Sequence, residues 1–392
     1  MTTPLEAVRA LGPYITEHTE LIESERRLTD AVVRALIEAG VFKLFVPRAL
    51  GGGETDPVTS CRVVEELSSV DGSTGWVSML CGSYGLLSGL LTDEAAHEIY
   101  ADPGAIVAGS LPPNGLARTV AGGYRVSGRW PMASGINHST WVLGNCQVLD
   151  GDAPRLTSRG TPALRVLFFP RSEVEIVDTW HVTGLRGTGS HDYEVRDLFV
   201  PAHRACGLVD EPVHPGQLYA LPYITIATVL MASVALGIAR HALDALEDLA
   251  SAKVPARFQT PLREHAYAQS QIGEAEGLLR GGRAFLFQTL EEAWDTVQEG
   301  RRLTWAQHGL LRLAGTQAVT QALQAADLVF RTGGATSIYA RLPLERCLRD
   351  IRTAAQHHCV TPGNYEVAGQ FFLGHDPAVT FWGRDFRGGP RD

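Results

Sequence analysis

The chain reads as an α+β protein in which a β-domain lies between two helical domains. Three observations predict that order. Apolar residues recur at helical spacing through roughly the first hundred positions and again from about 220 to 372. Between about 105 and 205 the period shortens towards two, with glycine-rich turns between the runs. No repeat of 20–50 residues and no low-complexity block interrupts the pattern. The expected domains are an N-terminal helical domain over 1–104, a middle β-barrel-like domain over 105–215, and a C-terminal four-helix bundle within 216–392.

In the first domain, Thr29 is placed to cap a helix carrying Val32, Val33, Leu36 and Ile37, which stops at Gly40. Asp56-Pro57 opens a second helix with Val58, Val63, Val64 and Leu67 inward. Ser73 is read as the cap of a third, running through Trp76 to Leu91, and Thr92 starts a short fourth. In the middle domain, Ala117–Val120 and Tyr124–Trp130 flank Ala121-Gly122-Gly123, a hairpin signal. Trp141–Val148, Leu164–Phe169, Val174–Val177 and Tyr193–Val200 are further strands, and 150–161 is a polar loop. Long helices fit near 222–251, 261–298, 303–331 and 340–358, and the Arg-, Gly- and Asp-rich stretch after Pro377 reads as a tail.

Composition excludes several classes of function. The chain of 392 residues is 45% hydrophobic and 20% charged, with a net charge of −9. That balance suits a large packed core and argues against a nucleic-acid partner. The six cysteines form no CxxC pair, which fits reduced thiols in the cytoplasm. The N-terminus shows no basic segment followed by an apolar core, so no signal peptide is expected. The most apolar run, Ile224 to Ala239, is about 16 residues long, shorter than the ~20 needed to span a bilayer. It is expected as a helix buried in a core or subunit interface, not in a membrane.

Four motifs carry a resemblance: GSTGWVSM (72–79), GRWPMASGINHSTWVLG (128–144), WHVTGLRGTGSHDYEVRDLFVP (180–201) and LERCLRDIRTAAQHH (344–358). Together, in this order, they resemble the acyl-CoA dehydrogenase superfamily over about 25–370. More narrowly they are similar to its two-component flavin-dependent monooxygenases, the phenol hydroxylase and dibenzothiophene monooxygenase branch. The resemblance implies an acyl-CoA dehydrogenase-like fold. It also implies an oxygenase that takes reduced flavin (FMNH2 or FADH2) and O2, forms a C4a-hydroperoxyflavin, and hydroxylates an aromatic or polycyclic small molecule in biosynthesis or catabolism.

The resemblance places Ser134, in the ASG turn, against the flavin N5 region, where a hydroxyl can donate or accept. The plain alternative is a turn serine bonded to its own backbone. Thr188 and Ser190 follow a glycine-rich stretch that leads into a strand and not a helix, so it is no dinucleotide fingerprint. They are flavin or substrate contacts, or simply a turn. Arg257 and Phe258 resemble the segment that reaches the flavin tail from an adjacent subunit, where an arginine suits phosphate. Gly333, Gly334 and Ser337 resemble a second flavin-contacting loop, or merely a helix end. Trp76, His138 and His358 are expected as pocket walls.

A dehydrogenase of this superfamily needs a carboxylate base, and the commonest position for it falls here on His358, beside His357. No Asp or Glu occurs from Ile351 to Asn364. A histidine, with an ordinary pKa of about 6.5, suits proton exchange at neutral pH, so His357 is expected as the catalytic base. Tyr84 is expected as its partner, donating to a substrate oxygen. A simple helix end is the plain alternative for His357, and a core residue for Tyr84. No metal site is expected, because adjacent histidines on a helix diverge. GGGETD (51–56) follows no nucleotide-loop pattern, so a separate NAD(P)H-flavin reductase must supply the cofactor. The apolar helix and the reach of Arg257 imply a homotetramer. A flavin-dependent acyl-CoA dehydrogenase or oxidase, and a non-catalytic scaffold of the same fold, remain the alternatives.

Overall fold

The computed structural model describes residues 2–158 and 160–373. The tail expected after Pro377 lies outside them. Helix α1 (Pro4–Glu25) opens on a capping box in which Thr3 and Glu6 satisfy each other's backbone N–H. It precedes every helix singled out from the sequence, although its Thr-x-x-Glu signal is plain. Thr29 caps α2 (Asp30–Glu38), with Gly40 left-handed beyond its end. Asp56 caps α3 (Pro57–Ser68). The cap of α4 (Gly72–Ser83) is Asp71, whose carboxylate accepts from Thr74 N at 2.7 Å. The expectation of Ser73 is corrected: Ser73 lies inside the helix. The helix also ends early, continuing from Tyr84 to Leu90 as a 3-10 run. Thr92 caps α5 (Asp93–Tyr100) as expected.

The middle domain is one eight-stranded sheet of β1 (Val107–Val120), β2 (Gly123–Ala133), β3 (Trp141–Asp150), β4 (Ala153–Pro154), β5 (Leu164–Pro170), β6 (Glu175–Val177), β7 (His191–Pro201) and β8 (Ala205–Cys206). Its order is β6-β7-β2-β1-β3-β5-β8, with β4 beside β3. Only β1 and β3 pair in parallel. The hydrogen-bonded path runs from β6 to β8, so the sheet is open along it. β1 starts ten residues before the expected Ala117, because a register shift between Ser110 and Gly115 accommodates Pro112 and Pro113 within the strand. A second shift, between Trp130 and Ala133 in β2, holds Met132 at φ 59°. It turns the chain into the Ser134-Gly135 corner.

Among the described residues five helices follow: α6 (Tyr223–Ala252), α7 (Ala266–Gln298), α8 (Trp305–Gly333), α9 (Pro343–Ala354) and α10 (Gly363–Phe372). The first four form the expected bundle and α10 packs on α8. By length and composition α6 could cross a membrane, yet 94% of its most apolar window is buried in this fold. It packs against α3, α4, α7, α8 and α9, which accounts for its apolarity. Close approach is built in by glycine: a Cβ on Gly75 of α4 would lie 1.9 Å from Ser68 Oγ of α3. All six cysteines are buried thiols outside any disulfide.

Candidate active site

Helix α4 is buried along its whole length, so its side chains serve the core and one cavity. That cavity, of about 630 Å³, lies between α4, the start of β1, the corner after β2, the loop before β7, the first turns of α6 and the segment after α9. Its size is that of an ordinary small-molecule site. Trp76, Leu80 and Tyr84 form one wall; Tyr223, Ile224, Ala227 and Met231 of α6 form another. Ser134, Ser190, His357 and His358 bring polar atoms to it. A second cavity of about 720 Å³, reaching Asn145 and Gln147 of β3, shares Leu111, Pro112, Ile224 and His358 with the first.

The hydroxyls at the β-domain wall form a chain whose direction is fixed at both ends. Trp76 Nε1–H donates to Ser134 Oγ at 3.0 Å. Ser134 and Ser190 hydroxyls are 2.7 Å apart, and Ser190 and Thr188 hydroxyls 2.6 Å. Thr188 Oγ1–H donates to the Leu185 carbonyl at 2.8 Å, and a carbonyl cannot donate. Ser190 therefore donates to Thr188, and Ser134 donates to Ser190. Ser134 is left with a lone pair and no proton to offer the cavity.

At the opposite side, α9, which carries Arg349 and Asp350, ends at Ala354, four residues before the expected 358. His357 stands in extended backbone and caps a 3-10 turn: its Nδ1 accepts from Cys359 N at 3.2 Å. The neutral ring then carries its proton on Nε2. Burial, followed by the neighbouring His358, pushes the His357 pKa down to about 3. The ring is neutral at physiological pH and a donor at Nε2. His357 was expected as the catalytic base; in this conformation its Nδ1 is engaged and its Nε2 carries the proton. Trp76 meets it edge-on at 5.8 Å between centroids.

Tyr84 lines the cavity, but its hydroxyl donates to Gly109 O at 2.9 Å and its ring stacks on Tyr223 at 5.9 Å and 4°. Burial raises its pKa well above the ordinary value. Its proton is already engaged, so the expected donation to a substrate oxygen is not available in this conformation. Tyr223 OH is likewise turned away, 3.0 Å from Ser83 Oγ, whose own proton goes to Leu80 O at 2.8 Å. The inner wall thus presents ring faces and aliphatic surface.

Of the expected residues, Trp76, Tyr84, Ser134, Ser190, His357 and His358 come together at this cavity. Thr188 lies behind Ser190, buried, as a link in the chain. His138 does not line either cavity: it is buried beside α2, with Nδ1 3.8 Å from Asp30, and desolvation pushes its pKa down to about 4. Arg257 and Phe258 are exposed in the loop between α6 and α7, and Gly333, Gly334 and Ser337 lie at the end of α8; none of the five lines either of these two cavities. Lys253 Nζ joins these two segments by donating to Gly333 O at 2.6 Å. Trp180 and Leu185 were missed as site residues, although both stand in the third motif. The ring nitrogens of His357 and His358 and Cys359 Sγ lie within 4.8 Å of one another, but Nδ1 of His357 already holds the Cys359 amide. No Asp or Glu is among the described residues lining the first cavity.

Two family models match this chain: the N-terminal domain of acyl-CoA dehydrogenase over 6–95 and the C-terminal domain over 229–362. An indole-3-acetate monooxygenase of Pseudomonas putida is 34% identical over 91% of this chain and 90% of its own. The oxygenase subunit HsaA of a flavin-dependent monooxygenase from Mycobacterium tuberculosis is 30% identical over 96% of each chain. Among solved structures, XiaF from Streptomyces in complex with FADH2 and glycerol superposes with a TM-score of 0.87 at 29% identity, covering 96% of each chain.

Proposed function

The chain belongs to the acyl-CoA dehydrogenase superfamily, in its two-component flavin-dependent monooxygenase branch, and from that premise we propose that it hydroxylates a flat, largely apolar aromatic substrate with reduced flavin and O2. One observation carries the reading: Ser134, left with a lone pair, and His357, left with an Nε2–H, line one apolar cavity that has no carboxylate among its described lining residues. The residues fit a reduced flavin, whose N5–H needs an acceptor such as Ser134. When bound, that cofactor with O2 supplies the oxidising equivalent. Trp76 and Ser190 hold the Ser134 hydroxyl in its orientation. His357 donates from Nε2 to a substrate oxygen or ring edge and so orients it. Tyr84, Tyr223, Ile224 and Met231 exclude water and pack on an aromatic face.

The substrate extends beyond one ring into the second cavity past Ile224 and His358. A separate NAD(P)H-flavin reductase delivers the reduced cofactor in the cytoplasm. Arg257 and Phe258 contact the cofactor tail of a neighbouring subunit in a homotetramer, which accounts for their exposure. The absence of a carboxylate from the first cavity's wall weighs against dehydrogenation of an acyl thioester.

Anaerobic titration with FMNH2 and FADH2, then turnover with an added flavin reductase on indole, phenol and indole-3-acetate, tests the reading. Tight binding of reduced flavin and oxygenated product are expected. A protein that purifies with oxidised FAD and reduces it on adding an acyl-CoA is instead a dehydrogenase.

A further inference from the structure

The third and fourth motifs meet through backbone. Arg349 of α9 donates to Thr183 O, and Asp350 Oδ1 accepts from Leu185 N at 2.6 Å. Gly184 lies between these two contacts, and a Cβ there would be 2.1 Å from Arg349 O. Only glycine lets the loop dock so closely on α9. Asp350 is buried, at 2% exposure, and its other oxygen lies within 3.0 Å of the place a Cβ on Gly72 would take.

Leu185 is left-handed, at φ 53° and ψ 35°. For a residue with a Cβ this conformation persists only where its surroundings impose it. Asp350 holds the N–H of Leu185, and three donors hold its carbonyl: Thr188 Oγ1 at 2.8 Å, Trp180 Nε1 at 3.0 Å and Thr188 N at 3.1 Å. That carbonyl is the terminus which gives the hydroxyl chain its direction.

We propose that Thr188 and Asp350 are positioning residues that make the site select reduced over oxidised flavin. The inference rests on the flavin reading above. Reduced flavin carries a hydrogen on N5 and donates there; oxidised flavin has a lone pair on N5 and can only accept. Ser134, with its proton committed to Ser190 and a donor already received from Trp76, meets the first with a hydrogen bond and the second with two facing lone pairs. An unmade hydrogen bond of this kind weakens binding by roughly tenfold or more. Neither Thr188 nor Asp350 lines the cavity; both act through Leu185 and Ser190.

The test is the ratio of Kd values for FMNH2 and FMN, measured anaerobically on wild type, Thr188→Val, Asp350→Asn and Asp350→Leu. Valine keeps the shape of Thr188 and removes the terminus, so Ser190 can turn its proton to Ser134, and Ser134 its proton to the cavity. The preference for reduced flavin should fall by roughly tenfold or more, which moves the potential of bound flavin downward by about 30 mV per tenfold. Asparagine still offers an oxygen to Leu185 N and should keep the wild-type ratio, whereas leucine should lose it as Thr188→Val does. A wild-type ratio in Thr188→Val, or equal weakening of both redox forms in every variant, overturns the proposal. If Asp350→Leu does not fold, Thr188→Val decides. Wild type that binds neither form, or prefers FMN, overturns the flavin reading itself.

Discussion

At the cavity wall, Ser134, Ser190 and Thr188 are buried and bonded to one another, whereas at the outer end of the bundle Arg257 stands exposed and Phe258 is 57% exposed. Val254, Tyr267, Ile338 and Tyr339, in the same two stretches of chain, are exposed as well. Both regions were expected to hold cofactor. The first has its donors and acceptors matched within one chain. The second leaves large apolar side chains in water, a pattern that marks an interaction surface. The difference teaches that the same residue types mean different things according to what closes over them. The wall is complete within one chain; the bundle end leaves its apolar side chains uncovered.

The largest expected effect lies at the wall. His357→Ala removes the Nε2–H donor and should lower the rate of oxygenation by roughly 10², the scale of one lost positioned donor. Reduced-flavin affinity should change little, since Ser134 is untouched. Unchanged turnover and coupling of oxygen use to product would remove His357 from the mechanism. At the bundle end, Phe258→Glu with Ile338→Glu should split the assembly, read by light scattering. Wild type that is already monomeric at micromolar concentration would end the contrast between the regions.

Tyr84→Phe separates packing from chemistry. It strands the buried Gly109 carbonyl, so stability should drop by about 1–2 kcal/mol in a denaturant titration. The hydroxylation rate should stay within a few fold of wild type. A large loss of rate with intact stability would restore Tyr84 as a substrate donor.

The smallest effect is in pH. His357 and His308 are pushed down to about 3 and His138 to about 4, chiefly by desolvation. Each is neutral in the fold but protonates near 6.5 when unfolded. The unfolded chain therefore binds more protons between those values, and stability is full above about pH 6.5 and falls as pH drops. Asp350, pushed up to about 7 by burial, works oppositely. Its contribution is full below about 3.8 and is lost as pH rises through 7. His138→Gln should flatten the loss of melting temperature between pH 6.5 and 5. It should leave turnover unchanged, since His138 lines neither cavity.

Much of this protein is determined by local sequence. Thr29, Asp56 and Thr92 cap the helices they were expected to cap, because a short polar side chain before an apolar period satisfies orphan N–H groups whatever surrounds it. The hairpin at Ala121-Gly122 follows from the conformation glycine permits, and the buried α6 from an unbroken apolar run. The motifs brought six of the expected residues to one cavity. What tertiary structure decided was direction and company. Ser73 yields its place as cap to Asp71, and His357 falls beyond the end of α9. Whether Ser134 donates or accepts depends on Leu185, 51 positions along the chain, and through Leu185 on Asp350. A hydrogen bond's direction belongs to the network and not to the residue, so no pattern along the chain could have shown it.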